Sequence, residues 1–321
     1  MKLLAPAGSL ESAKTVIEAG ANEIYIGAWP ANLNNYSFSG RSVRSNSGRR
    51  IQAYYSELGD IVNFAHENNV LVNFLANIPF MNNDDSGLTH KSITELFDEY
   101  IDAGISAGVD SLIVGDLGVI YKLKSQKYKI PIIASSYLDT LNSFAIRFLE
   151  GLGIQQVILS YQISLCEIKK IAEKTSLRLE VFGHGKCSFH AGSCNLFHDG
   201  GEGGEDGIEL GYPCRGMYTV SQNGIKICRN RFLDNFKFCS LCQIKDLIDS
   251  NIHALKIVGR EVDLGFMSKV VETYRTAIDL VSEGRNIAYE RDKFLPLWWK
   301  KMWCQTGKRC MYANDGENIC Q

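Results

Sequence analysis

No stretch of this 321-residue chain approaches the ~18 consecutive apolar residues that a membrane-spanning helix needs. The opening, MKLLAPAGSLESAK, also lacks a basic segment followed by a long apolar run. A soluble, cytoplasmic protein with no membrane span is the expectation. An excess of one charge is missing too: 34 basic residues face 36 acidic ones, with a net charge of −2 and a pI near 6.3. That balance argues against gripping a nucleic-acid backbone as the main task, while leaving room for a local basic patch. Neither HExxH nor GxSxG occurs, and the C-x3-C-x2-C spacing of radical-SAM enzymes is absent. No internal repeat or low-complexity tract appears.

What the chain does have is cysteine, ten in all. In a reducing compartment these are poor disulfide candidates, and metal binding becomes the better explanation. Cys187, Cys194, Cys214, Cys228, Cys239 and Cys242 fall together in residues 179–242. The tail from Trp298 adds Cys304, Cys310 and Cys320 among three tryptophans. The bland alternative is that several are small buried hydrophobes, as expected for Cys166 inside the helical pattern SLCEIKKIAEK.

Short apolar runs alternate with helical patterns over most of the sequence. Strands are predicted at residues 3–5, 23–27, 70–77, 111–115, 131–135, 156–160, 178–182 and 254–258. Ser9 caps the first helix and Gly20 stops it. Eight strands, each followed by a crossover, suggest a (β/α)8 TIM-like barrel of the α/β class, with an open doubly wound sheet as competitor. The cysteine-rich insertion then follows strand seven, and a short C-terminal extension completes the chain. The expected division is a barrel domain over 1–283, including the cysteine-rich segment 183–242, and a Cys/Trp-rich extension over 284–321.

In a barrel the chemistry gathers at the C-terminal strand ends. That end would collect the cysteine loop, Arg260, Asn73 and Asn77, Asp116, Ser135 and Ser136. Thiolates favour zinc, copper(I) or iron–sulfur clusters. Zinc sites usually show two tight Cys-x2–4-Cys knuckles, and only Cys239 and Cys242 make one here. Wide, irregular spacing suits a 4Fe-4S cluster better, with zinc as the alternative. His184 and His190 lie beside the cysteines and could move protons, ligate metal or simply bond to backbone. Arg260 could hold a carboxylate or phosphate in two-pronged fashion, or pair with a nearby acid. Glu180, on an inward-facing strand, needs a partner to be buried. The glycine-rich stretch 200–207 carries three acids and no lysine, so it reads as a flap and not as a phosphate loop. The basic run 41–50 reads as a solvated loop, with RNA or anion binding as the other option. Cys304, Cys310 and Cys320 could form a second centre if Cys228 or Cys242 supplied a fourth thiol.

Taken in order, LAPAGSLESAKTVIEAGANEIYIGA, VDSLIVGDLGVI, EVFGHG, PCRGMY and ALKIVGRE closely resemble the peptidase U32 family, over residues 1–283. The resemblance implies a barrel with a 4Fe-4S cluster and a role in oxygen-independent hydroxylation, of ubiquinone precursors or of tRNA and rRNA bases. Prephenate is the implied oxygen donor, and a heterodimer with another U32 member is an implied arrangement. Collagenase-like peptidase activity is the family's older attribution. Residue by residue, Cys187, Cys194 and Cys214 match three cluster ligands. The fourth would stand four positions before Cys214, where this chain has Leu210. Cys239 matches a cysteine many members keep before the last strand, so it is the first choice, followed by Cys242 and Cys228.

The chain departs from the family in three further places. HGALC is shortened to HGKC, KIEGR becomes KIVGR at Val258, and Ser160-Tyr161-Gln162 replaces an Arg-Glu pair. These changes point away from the pocket of the RNA-modifying members. The expectation is an iron–sulfur enzyme or enzyme subunit that hydroxylates, without molecular oxygen, a small or aromatic metabolite, or an RNA base. His184 would supply a proton and Arg260 an anion anchor. The alternatives are a peptidase or a non-catalytic protein with a structural zinc site.

Overall fold

Eight parallel strands close on themselves, in the order the sequence rhythm implies. They are β1 (Lys2–Ala7), β2 (Glu23–Ile26), β3 (Leu71–Ala76), β4 (Ser111–Val114), β5 (Ile132–Ala134), β6 (Gln156–Ile158), β7 (Arg178–His184) and β8 (Ala254–Ile257). Each pairs with the next, and Lys2, Leu3 and Leu4 of β1 align with Ala254, Leu255 and Lys256 of β8 to seal the barrel. This is a computed structural model, and it describes residues 1–29, 38–39, 52–77, 91–126, 128–185, 217–230, 237–260, 262–304 and 309–312.

Helices α1 (Leu10–Glu18), α2 (Tyr55–Glu67), α3 (Ile93–Ser106), α4 (Leu117–Ser125), α5 (Ser143–Gly151), α6 (Leu165–Ala172) and α7 (Ile244–Asp249) connect successive strands, and α8 (Leu264–Ser282) follows β8. Local chemistry fixes several of their starts. Ser9, Ser92 and Ser164 each accept a backbone N–H of the first turn in a reciprocal capping box, and Asp116 and Asn142 cap α4 and α5. Cys166, near the start of α6, is half-buried and disulfide-bonded, so it is not the isolated buried thiol expected of it. No helix among the described residues is long and apolar enough to cross a membrane.

Inward-facing residues fill the lumen in layers. The layer at the N-terminal strand ends is polar. Asn73 donates to Glu23 Oε2 at 3.0 Å and accepts from Ser111 Oγ at 2.6 Å. Gln156 and Lys256 both donate to Glu180, at 2.7 and 3.0 Å. Asn73 therefore lies away from the C-terminal mouth where it was expected, because its partners Glu23 and Ser111 are the first residues of β2 and β4. Glu180 has the partner its burial demands. Burial pushes its carboxyl above the ordinary range, with Lys256 pulling back part of the way. The same burial holds Lys256 below its ordinary range, against the pull of Glu180.

Above this floor Leu4, Tyr25, Leu75, Ile113, Ile133, Ile158 and Phe182 form an apolar layer. Its lid comes from far along the chain: Met311 is fully buried within the same cluster, and Tyr312 OH donates to the Phe182 carbonyl at 2.9 Å. The extension is thus built into the barrel. After α8 it continues through α9 (Ile287–Phe294) and a helical turn (Leu297–Trp299, then Lys300–Cys304), placing Trp299 and Trp303 in the main core.

Removing one member of the buried pair strands the other charge. Lys256→Met is expected to cost about 3–5 kcal/mol, whereas Lys256→Met with Glu180→Leu should be close to neutral. Denaturant midpoints of the two variants at constant slope decide this. Equal destabilisation by both would show that the pair is not what stabilises the lumen.

Candidate functional site

The C-terminal strand ends carry the groups that could act on a ligand. On the side of β2, a Cβ at Gly27 would run into Ser39 and Gln52, so glycine lets these two buried polar side chains approach the strand end. Arg260, three residues past Ile257 at the end of β8, reaches across and donates to Ser39 Oγ at 3.2 Å. The half-buried guanidinium thus stands at the mouth, where an anion anchor was expected. Asn77 follows β3 and is buried, with Oδ1 making no hydrogen bond. Farther round, Ser160 donates to Asp139, while Ser135 caps a short turn and Asp116 caps α4. Those three are occupied in holding loops.

On the side of β7 the strand does not end at the sheet. His184 forms an antiparallel bridge with Cys239, and Cys239 forms a parallel bridge with Cys310. The hydrogen bonds are explicit. Gly185 N donates to the Phe238 carbonyl at 3.0 Å and Ser240 N to the Gly183 carbonyl at 3.1 Å. Phe238 N donates to the Arg309 carbonyl at 2.8 Å, and Met311 N to the Cys239 carbonyl at 2.7 Å. Residues 238–240 are therefore a middle rung, with the last barrel-strand residues on one side and the tail on the other.

Behind this rung lies an aromatic cage. The His184 ring is 4.7 Å from Trp303, 5.3 Å from Trp299 and 5.6 Å from Tyr274, centroid to centroid. Its side chain is 4% exposed and Nδ1 has no hydrogen-bond partner. Burial drops its pKa to about 3, so the imidazole is neutral at physiological pH. A neutral ring can give or take one hydrogen bond at an open nitrogen but is no imidazolium acid. The alternative of a histidine satisfied by backbone is also not met at Nδ1.

Cys239 shares this environment. Its thiol is buried and pushed up to about 12, chiefly by loss of solvent. Tyr274 OH, which donates to the Gly183 carbonyl at 2.5 Å and accepts from Ser240 N, stands close to it. The Trp299 indole also faces the sulfur closely enough to favour its thiolate, yet Nε1 is buried without a full hydrogen bond. Of the other cysteines singled out, Cys242 is exposed and accepts from Arg291 at 3.2 Å. Cys228 is exposed on a hairpin, Tyr218–Gln222 with Ile225–Asn230, all of whose residues face solvent. Cys187, Cys194, Cys214, Cys320, His190, the glycine-rich stretch and the basic run 41–50 lie outside the described residues. Among the described residues, no three His, Cys, Asp or Glu side chains stand as an ion would need them.

Sequence reasoning located Cys239, His184 and Arg260 at this end and did not anticipate Tyr274, Trp299, Trp303 or Met311 as its walls. The signal for the last three was the change in tail composition; nothing local in the sequence says where that tail docks.

A family model described as peptidase family U32 matches residues 8–304. The 23S rRNA 5-hydroxycytidine synthase of Escherichia coli is 27% identical, over 89% of this chain and 40% of that protein. An uncharacterized protease of Methanocaldococcus jannaschii is 29% identical, over 88% and 66%. A tRNA hydroxylation protein of Bacillus subtilis is 27% identical, over 87% and 63%. The chain spans less than two thirds of the length of each of these relatives.

The neutral His184 makes a pH prediction. Its folded pKa, about 3, lies below the unfolded value near 6.5, so the unfolded state binds the extra proton and this group's penalty grows as pH falls through that window. Between pH 7 and pH 5 the wild type should lose about 2 kcal/mol more stability than His184→Phe. Parallel pH dependence of the two proteins in denaturation would refute the assignment.

Proposed function

The chain belongs to peptidase family U32, and on that footing we propose that it is an iron–sulfur barrel enzyme, or the barrel subunit of one, which installs a hydroxyl group without molecular oxygen. The observation that carries this reading is the pair of relatives named for rRNA and tRNA hydroxylation, similar over almost nine-tenths of the chain. Those names also move the preferred substrate from a small aromatic metabolite to an RNA base. The small metabolite stays as the second reading, since Ser160-Tyr161-Gln162 and Val258 depart from the pattern of RNA-modifying members.

A 4Fe-4S cluster would be held by Cys187, Cys194 and Cys214, with Cys239, Cys242 or Cys228 available as a fourth ligand. Such a group supplies electrons and, at an iron without a cysteine, a seat for an oxygen-bearing donor such as prephenate. Support on the protein side comes from Cys239, a buried soft ligand with an unused indole N–H beside it, since donors aimed at sulfur are what a bound thiolate requires. Arg260 binds and orients an anionic group of donor or substrate, its guanidinium steadied by Ser39. Around His184 the tryptophan cage excludes water, and Nδ1 offers one hydrogen bond to a reacting group. Asn77 Oδ1 offers an acceptor across the mouth. A companion U32 chain would complete the site in a heterodimeric arrangement.

Peptide hydrolysis is favoured by the names of two relatives, an uncharacterized protease and a collagenase. Among the described residues it finds no activated nucleophile: His184 is neutral and caged by aromatic rings.

Protein purified without oxygen should be brown, with iron and sulfide close to equimolar, and Cys187→Ser should lose most of both. A strain lacking the gene should lose a nucleoside one oxygen heavier than its parent in digests of rRNA or tRNA, read by mass spectrometry. Unchanged nucleosides with a missing hydroxylated metabolite would move the substrate to the small-molecule class. Colourless protein that cleaves peptides would end the hydroxylase reading.

A further inference from the structure

Two neighbouring helices of the barrel are apolar on the side that faces water. Helix α5, SFAIRFLEG, already turns Ile146 and Leu149 into the core, which is the one apolar face an outer barrel helix needs. Yet Phe144 and Phe148, one turn apart, are 75% and 57% exposed, and Leu141 stands open just before them. On α4 the pair Leu117 and Tyr121 repeats the arrangement, with Tyr121 72% exposed. The two helices are neighbours, because β4 pairs with β5 and Lys124 of α4 donates to the Gly153 carbonyl just past α5 at 2.8 Å. Large apolar side chains scattered singly over a surface call for no explanation, but a group of them on adjacent helices does.

The charges on this face indicate what covers it. Arg147 stands between the two phenylalanines in sequence, its guanidinium over the Phe144 ring at 4.6 Å, and Glu150 follows one turn later. Both are exposed, and neither makes an ion pair among the described residues; Glu150 accepts from the neutral Ser176 hydroxyl at 2.9 Å. The lysines nearby leave this balance intact, since Lys122 is paired with Asp98 and Lys124 is held by the Gly153 carbonyl. The face therefore offers one positive and one negative group, without the excess of positive charge that an RNA backbone selects. A surface carrying both halves of an ion pair beside an apolar stripe is complementary to itself. Contacts across a two-fold axis are reciprocal, so two antiparallel copies of α5 bring Arg147 of each to Glu150 of the other. Gly151, at the exposed end of the helix, has nothing within 4 Å of where a Cβ would stand, which leaves room for a close approach.

We propose that this face is the contact between two copies of the chain. In the two-fold dimer Phe144 and Phe148 of both copies close over one another between reciprocal Arg147–Glu150 pairs, with Leu117 and Tyr121 at the edge. Burial of the apolar side chains drives association, while the ion pairs set the register and disfavour other partners. None of Arg260, Asn77, His184 and Cys239 lies on either helix, so the inference goes beyond the hydroxylase reading and does not rest on it.

The test is sedimentation velocity on the full chain purified without oxygen. Wild type at about 10 μM should sediment as a dimer of the 35.8 kDa chain. Phe144→Asp and Phe148→Asp, at positions too exposed to unsettle the fold, should each raise the dissociation constant roughly a hundredfold. Tyr289→Asp, just as exposed but on α9, should leave the dimer unchanged. Arg147→Glu or Glu150→Arg alone sets like charges face to face on both sides of the axis and should weaken the dimer roughly tenfold. The double exchange should recover wild-type affinity to within about threefold, a recovery that misfolding cannot imitate. A chain that stays monomeric at about 100 μM, or that pairs only with a different U32 chain, would overturn the proposal. So would a dimer that survives Phe148→Asp, or a double exchange that associates no more tightly than the single ones.

Discussion

Pairing of the first strand with the last governs everything else in this molecule. Lys2, Leu3 and Leu4 hydrogen-bond alongside Ala254, Leu255 and Lys256, and once that seam is made a single sheet has two unlike ends. One end receives Glu23, Asn73, Ser111, Gln156, Glu180 and Lys256, a polar floor whose groups satisfy one another in a low-dielectric setting. The other receives Arg260, Asn77 and His184, although 183 residues separate Asn77 from Arg260.

The mouth is not left as a ring of loops. The strand β7 is prolonged into a small second ladder by residues 238–240, and those residues pair in turn with the tail at 309–311. Two tryptophans pack behind this ladder around an uncharged histidine, and a methionine descends into the lumen. The described residues packed beside the end of β7 are thus aromatic and dry, while Arg260, past β8, reaches to Ser39 on the β2 side.

Much of the architecture could be read before any coordinates. The eight short apolar runs each became a barrel strand, and Ser9 is the cap it was read as, whereas Asp116, expected at the mouth, is spent capping α4. Failures came where position depends on register or on distant partners. Asn73 lies on β3 and Asn77 just past its end, an even number of residues on, so the alternation of side chains could not say that one belongs to the floor and the other to the mouth. Glu180 announced its need for a partner, but Lys256 could be named only once β7 and β8 were adjacent. Cys239, Cys242, Cys304 and Cys310 span 72 residues of sequence, and no periodicity connects a turn before α7 with a tail after α9. Cys242 was weighed as company for the tail cysteines; the backbone bridge between Cys239 and Cys310 was not foreseeable.

Met311 carries an implication for how the chain is made. The hydrophobic layer begun by Leu4 is completed by a side chain roughly three hundred residues later, so the two ends of the sheet wait, unpaired, through nearly all of synthesis. Until β8 leaves the ribosome, β1 offers an open edge, and until the tail follows, the lumen stays uncapped. Such a chain has to be shielded while it grows, and its folding should finish in one late, long-range event rather than piece by piece from the N-terminus.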